Sequence, residues 1–420
     1  MFSVHPSSML RLMGAFSLCA LLTACGGGGN NDNANNDSSQ NSNTQVTSTD
    51  SSTNNGESTP IPPRITNARG ALLQETFLKT DSISAISKAI LDPAAKAPSV
   101  IPLYEVKNYR LTYLTVDGNG DLTEASGLIS LPQKSTSVKS PLLSFQHGTI
   151  FYDKNAPSND QTATNPSPIL ASLGYIVVAV DYVGDGASMG KKHPYLQVTP
   201  SAAAVTDFLT AAKQWLAEQR ISTNGQLFLT GYSEGGYVTM AAHKALQDAG
   251  QTITATVAGA GPYDLQRTLE ILFSSSNIKK IITDAVGLRP ANVQTNVAAK
   301  YPGTLDEVIV DLVMKALIPG DSDVKFDKKF LLDYMADDYE TMAKNSVYNW
   351  KALIPIRLTH GRDDETVPFE NSTRTLDAMR TLGTDIQLDE CIVNPSTHSN
   401  CIKPYTEYLN TYFSTLAQDL

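Results

Sequence analysis

From Tyr104 onward, short apolar runs alternate with longer segments of helical period. Tyr104 to Val116 alternates apolar and polar positions, Asp117-Gly118-Asn119-Gly120-Asp121 is a turn, and Leu122 to Leu131 returns as a second strand, so the segment predicts a hairpin. Pro141 to Gln146 (PLLSFQ) and Tyr175 to Asp181 (YIVVAVD) are apolar almost without interruption, which predicts strands covered on both faces of a parallel sheet. Gln226 to Thr230, Thr252 to Ala260, Ile354 to Thr359 and Ile386 to Val393 predict further strands. Pro200 to Arg220, Glu234 to Ala249, Asn371 to Leu382 and Tyr405 to Leu416 predict helices between and after them. This alternation predicts an α/β fold: a doubly wound, mostly parallel sheet with an antiparallel start. Ligands of such sheets bind at the carboxyl ends of the strands. Asp264 to Trp350 breaks the alternation with helical patterns (Leu265 to Phe273, Leu305 to Leu317, Phe330 to Lys344) and reads as a cap inserted over those ends.

The N-terminus is patterned differently. Arg11 precedes an apolar stretch, Leu12 to Leu22, too short to span a bilayer and placed as in a secretory signal. Leu22-Thr23-Ala24-Cys25 resembles a bacterial lipobox, which implies cleavage after residue 24 and lipidation of Cys25; an ordinary signal peptide with an incidental cysteine is the alternative. Gly26, rather than an aspartate, follows the cysteine, and by the same resemblance this implies the outer membrane of an exported, lipid-anchored protein. Gly26 to Pro60 is built from Gly, Asn, Ser, Thr and Asp without an aromatic residue, too polar to offset its ordering entropy by burial. It reads as a tether with a reach of roughly 30–35 Å. The resulting division is residues 1–24 signal, 25–60 lipidated cysteine and tether, 61–263 with 351–420 core, and 264–350 cap.

The chain of 420 residues carries a formal charge of −10, which argues against a nucleic-acid partner and leaves no polybasic patch for anionic lipid. Cys19, Cys25, Cys391 and Cys401 contain no C-x-x-C pair, which excludes zinc ribbons and thioredoxin-like redox motifs. The DGNGD turn half-matches a calcium loop, but Leu122 and Leu128 stand where that loop needs Gly and Glu.

Gly231-Tyr232-Ser233-Glu234-Gly235 follows an apolar strand and opens a helix, the setting of a nucleophile elbow. Such a turn admits only small residues two before and two after the serine, and the helix N-terminus favours a developing anion. A serine hydroxyl needs a base, and the elbow predicts the order Ser, acid, His. Of the six histidines (5, 147, 193, 243, 360, 398) only His360 and His398 follow the cap. Cys391 and Cys401 bracket His398, and in an exported protein a disulfide is the default for such a pair. A metal site of Cys391, His398 and Cys401 is the alternative, although it lacks a fourth ligand at familiar spacing.

His360-Gly361-Arg362-Asp363-Asp364-Glu365-Thr366-Val367-Pro368 resembles the H-G-x-x-D-x-x-V-P segment of α/β-hydrolases. The resemblance implies that Asp364 is the triad acid, with Asp363 the competitor, that His360 is structural, and that His398 is the base. His147-Gly148-Thr149 resembles the oxyanion turn of the same superfamily, implying that the amide of Thr149, or that of Gly148, joins the amide of Glu234 in an oxyanion hole. Asp181-Tyr182-Val183-Gly184-Asp185-Gly186 is similar to a segment of bacterial and fungal secretory lipases and esterases. Together these motifs imply hydrolysis of a small-molecule or lipid carboxylic ester through an acyl-enzyme, without metal or organic cofactor. A serine peptidase of the same fold, with an amine-binding carboxylate from Asp337-Asp338-Tyr339-Glu340, is the nearest rival, and a non-catalytic binding lipoprotein the second.

Overall fold

The computed structural model describes residues 63–135, 138–162, 164–274 and 305–420. The expected signal, Cys25, the tether and the cap segment 275–304 lie outside the described residues.

In chain order the elements are β1 (Leu72–Asp81), α1 (Ile83–Ile90), β2 (Val106–Val116), β3 (Leu122–Pro132), β4 (Ser140–Gln146), α2 (Pro166–Ala171), β5 (Ile176–Val180), β6 (Lys192–His193), α3 (Val198–Glu218), β7 (Thr223–Tyr232), α4 (Glu234–Asp248) and β8 (Ala255–Gly259). Then come α5 (Leu265–Ser274), α6 (Leu305–Leu317), β9 (Lys325–Phe326), α7 (Lys329–Met335), α8 (Tyr339–Asn345), β10 (Ile356–Gly361), α9 (Glu370–Thr381), β11 (Ile386–Cys391) and α10 (Ile402–Ser414). The main sheet runs β1-β2-β3-β5-β4-β7-β8-β10-β11. β1, β2, β3 and β5 pair antiparallel in turn, and every pairing from β5 through β4, β7, β8 and β10 to β11 is parallel. This is the α/β-hydrolase fold, with the antiparallel start that the sequence predicts.

The central strands separate two cores. Successive residues point to opposite faces of a strand. Leu142, Val178 and Leu229 therefore join the layer under α3 and α4, while Leu143, Val177 and Phe228 join the layer under α2 and α10. Every residue of β5 and of β8 is buried, which is why both read as continuous apolar runs. Fully burying a large side chain such as Phe208 or Phe413 stabilises by roughly 1.5–3 kcal/mol.

The hairpin forms as expected: Asp117 Oδ1 accepts from the amides of Asn119 (2.9 Å) and Asp121 (3.1 Å), so the carboxylate closes a turn. Among the described residues no group of three His, Cys, Asp or Glu side chains is placed to hold a metal ion, and no helix is long and apolar enough to cross a membrane.

Two expectations are corrected. β1 lies before the first predicted strand; it is an edge strand with mostly exposed side chains and so lacks a clear alternation. The single helix expected over Phe330 to Lys344 is two, because Asp337 adopts φ 54° between α7 and α8. The segment expected to form a cap is tied to the rest of the chain by parallel pairing of β6 with β9, by Arg374 Nε donating to Asp264 Oδ2 (2.8 Å) and by Tyr237 Oη donating to the Asn345 carbonyl (2.7 Å).

Candidate active site

Ser233 sits where β7 turns into α4, with φ 62° and ψ −126°. Non-glycine residues rarely hold positive φ, and the cost is of order 1–3 kcal/mol. The flanking glycines permit it. A Cβ on Gly231 would lie 2.3 Å from the Gly235 carbonyl oxygen, and one on Gly235 would lie 2.1 Å from that of Gln146. The Ser233 amide donates to the Gly259 carbonyl (2.9 Å), which fixes the turn on the end of β8.

Asp364 comes from the loop after β10. Its Oδ1 accepts from the amides of Thr366 and Val367 (2.9 Å each), and its Oδ2 accepts from His398 Nδ1 (2.6 Å) and His360 Nε2 (3.1 Å). Burial alone would raise the Asp364 pKa, but the two imidazoles outweigh it and hold the carboxyl well below the usual carboxylate range. Because a carboxylate only accepts, His398 carries a proton on Nδ1, which leaves Nε2 as the atom facing away from Asp364. That Nε2 is buried and has no hydrogen-bond partner among the described residues. The imidazole packs on Tyr232, the residue before Ser233, at 5.1 Å between rings, and Tyr232 Oη donates to the His398 carbonyl (2.8 Å).

The competitor, Asp363, is exposed and engages the loop of His398 instead: its Oδ2 accepts from the Ser396 amide (2.8 Å) and hydroxyl (3.0 Å). His360 is a buried brace, donating from Nε2 to Asp364 and to the Val367 carbonyl (3.0 Å) while Nδ1 accepts from Ser372 Oγ (2.8 Å). Cys391 and Cys401 form a disulfide with Cα atoms 5.8 Å apart, which removes both sulfurs from the alternative metal site.

The turn 147–149 passes beside Ser233: a Cβ on Gly148 would lie 3.5 Å from Ser233 Cβ. Thr149 borders the same two cavities as Ser233, and its hydroxyl meets Tyr195 Oη at 3.1 Å. Gly148, Thr149 and Glu234 are thus gathered at Ser233. The acidic segment proposed for an amine is not: Asp338 caps α8 through the Thr341 amide (3.0 Å), Glu340 pairs with Lys344, and neither borders a cavity at Ser233.

One pair was not legible in the sequence. The Glu234 side chain is buried against His193 Nε2 (2.7 Å), and His193 Nδ1 meets the Val183 carbonyl (3.0 Å). Both partners accept, so the ring carries two protons. Burial opposes that charge, but Glu234 and Asp185 overcome it and push the His193 pKa up to about 9. His193 also pairs with Phe326 in β9, so the residue after the nucleophile is linked to the cap. The available signal was an acid following the nucleophile at a position the fold must bury, which calls for a cationic partner.

Two cavities meet at Ser233. The smaller lies beside α5, α6 and α7 and is bounded by Leu269, Leu272, Met314, Phe330 and Val367 among others, none of them charged among the described residues. The larger runs between residues 93–98, the start of α2 and the start of α10.

Comparison with known proteins fits this geometry. The esterase LipA of Xanthomonas oryzae, described as rice cell wall degrading, superposes with a TM-score of 0.63 at 23% identity, over 83% of this chain and all (100%) of that one. Candida antarctica lipase A in its closed state gives a TM-score of 0.55 at 17% identity, over 84% of each chain. At these identities the likeness establishes the shared fold. No curated protein sequence matches the chain. The model of the X-Pro dipeptidyl-peptidase (S15) family matches residues 126–400, a span that begins in β3, ends two residues after His398 and holds Ser233 and Asp364 between. The chain is a serine hydrolase of the α/β fold, and with more than half of its length matched it belongs to the X-Pro dipeptidyl-peptidase (S15) family.

Proposed function

We propose that this enzyme hydrolyses carboxylic esters with an apolar acyl group, using Ser233, His398 and Asp364 as its triad. Ser233 Oγ attacks the carbonyl carbon and its proton passes to His398 Nε2. Asp364 holds the ring in the required tautomer and stabilises the imidazolium. The amides of Glu234 and Thr149, with Gly148 allowing close approach, hold the oxyanion. Collapse breaks the bond to the alcohol oxygen, His398 returns the proton to that oxygen, and water repeats the sequence on the acyl-enzyme.

The observation that carries the ester reading is the uncharged cavity under the cap, which meets Ser233 and gives an acyl chain a place to be buried. A dipeptidyl-peptidase must instead bind a charged amine on the acyl side of the scissile bond, and no carboxylate borders that cavity among the described residues. The family match is what favours the peptidase reading. Parallel turnover of p-nitrophenyl butyrate and Ala-Pro-p-nitroanilide decides between them. The ester reading expects the first to be cleaved with kcat/KM at least a hundredfold higher; the reverse order overturns it. The envelope anchor belongs to the same proposal: the mature protein should begin at a lipidated Cys25, and Cys25→Ser should release it from membranes.

A further inference from the structure

We infer that the larger cavity, between residues 93–98, α2 and α10, is the leaving-group site and takes a bulky, mostly apolar alcohol such as a substituted phenol. The inference rests on the ester reading and adds to it which side of the scissile bond each cavity serves.

The argument starts from the proton. The oxygen that leaves must take a proton from His398, so the alcohol departs on the side of the histidine's loop. Ser399 and Asn400, the two residues after His398, border the larger cavity and do not border the one under the cap. The cap-side cavity is bordered by residues of α5, α6 and α7 and by Thr366 and Val367, close to Asp364 in the chain. An acyl group directed under the cap therefore leaves the alcohol pointing between α2 and α10.

The walls suit such a group. Phe145, Tyr232 and Tyr405 supply aromatic carbon, and Ile169, Leu170 and Leu409 supply aliphatic carbon; Lys96 and Asp160 are the charged residues on the same lining. The phenolic groups of the two tyrosines are already engaged, Tyr405 with Thr230 Oγ1 (2.6 Å) and Tyr232 with the His398 carbonyl (2.8 Å), so what they offer a ligand is ring surface. The walls are also held in place before anything binds. Thr406 Oγ1 in α10 donates to the Lys96 carbonyl (2.8 Å), and Asn165 caps α2 while its Nδ2 donates to the carbonyls of Pro157 and Asp160 (3.1 Å each). A preformed site spends less binding energy on ordering.

The test uses the full-length protein and two ester series. Phenyl, 2-naphthyl and 4-biphenylyl butyrate vary the alcohol at similar leaving-group acidity; phenyl acetate, butyrate and octanoate vary the acyl chain. Ala94→Trp and Ile402→Trp fill the larger cavity from two different segments of its lining, and Leu272→Trp fills the cap-side one. The first two should raise KM for the biphenylyl ester at least tenfold relative to the phenyl ester and leave the acyl ranking unchanged, while Leu272→Trp should do the opposite. In the wild type, 4-phenylphenol should inhibit competitively at least tenfold more tightly than phenol, a readout independent of how the variants fold. If the tryptophans between α2 and α10 alter the acyl ranking instead, or if phenol and 4-phenylphenol inhibit alike, the assignment is overturned while the ester reading stands. Failure of the wild type to cleave any of these esters overturns the ester reading and the assignment with it.

Discussion

Replacing Cys391 and Cys401 together by alanine separates two roles the disulfide could have, stabilising the fold and positioning the base. The bridge spans a sequence separation of 10. On the loop-entropy relation, releasing a closed loop of that length costs about 2.7 kcal/mol at 25 °C. Unfolding entropy of about 2.1 cal/mol/K per residue over residues 63–420 converts this to a fall in Tm of about 4 °C. The rate should respond less, because the loop carrying His398 has other anchors. Asp363 accepts twice from Ser396, Tyr232 Oη donates to the His398 carbonyl, Asn400 Nδ2 donates to the Pro395 carbonyl (2.9 Å) and Asp364 holds the imidazole directly. The expected outcome is a Tm lower by several degrees in calorimetry, with kcat on p-nitrophenyl butyrate within about tenfold of wild type at 25 °C. An unchanged Tm, or a hundredfold loss of kcat in a protein that is still folded, would refute the reasoning.

Four more predictions concern the site. His193→Leu leaves the Glu234 carboxylate buried and unpaired, and removal of one partner of a buried pair costs about 3–5 kcal/mol, readable by urea unfolding. Since the folded His193 pKa is raised from 6.5 to about 9, the pair's stabilisation is full below pH 6.5 and is lost as pH rises toward 9, an effect of about 3 kcal/mol; Glu234→Gln should flatten that alkaline slope in unfolding measured from pH 6 to 9.5, and an unchanged slope contradicts the charged pair. Asp364→Asn should lower kcat about 10³–10⁴-fold by favouring the wrong tautomer of His398, whereas Asp363→Asn should stay within tenfold; steady-state turnover of both variants checks the choice between the two aspartates. Gly235→Val should yield little folded protein, because its Cβ would enter the Gln146 carbonyl; soluble yield and far-UV circular dichroism show this, and a folded, active variant would contradict the crowding at the turn.

The parts of this molecule that were legible in the sequence are those whose physics is local or periodic. β5 and β8 are buried on both faces and so leave unbroken apolar runs. The turn around Ser233 must be crowded by backbone on both sides, and so it leaves Gly231 and Gly235. The preference for Asp364 over Asp363 rests on a resemblance, since no spacing tells two adjacent aspartates apart; in the loop after β10 they point apart, one to His398 and the other to Ser396. β1 was missed because an edge strand has no need of alternation. The break at Asp337 was missed because one residue at positive φ leaves the apolar spacing on either side intact. The His193–Glu234 pair joins the end of β6 to the start of α4, and no sequence period connects them.

The central claim is that Ser233 is an activated nucleophile, and covalent labelling tests it most directly. Intact full-length protein is treated with a fluorophosphonate and digested, and the adduct is located by mass spectrometry. The account predicts one adduct, on the peptide carrying Ser233, absent in Ser233→Ala and formed at least a hundredfold more slowly in His398→Ala. Folded wild-type protein that takes no label, or a Ser233→Ala variant that keeps wild-type ester turnover, would contradict it.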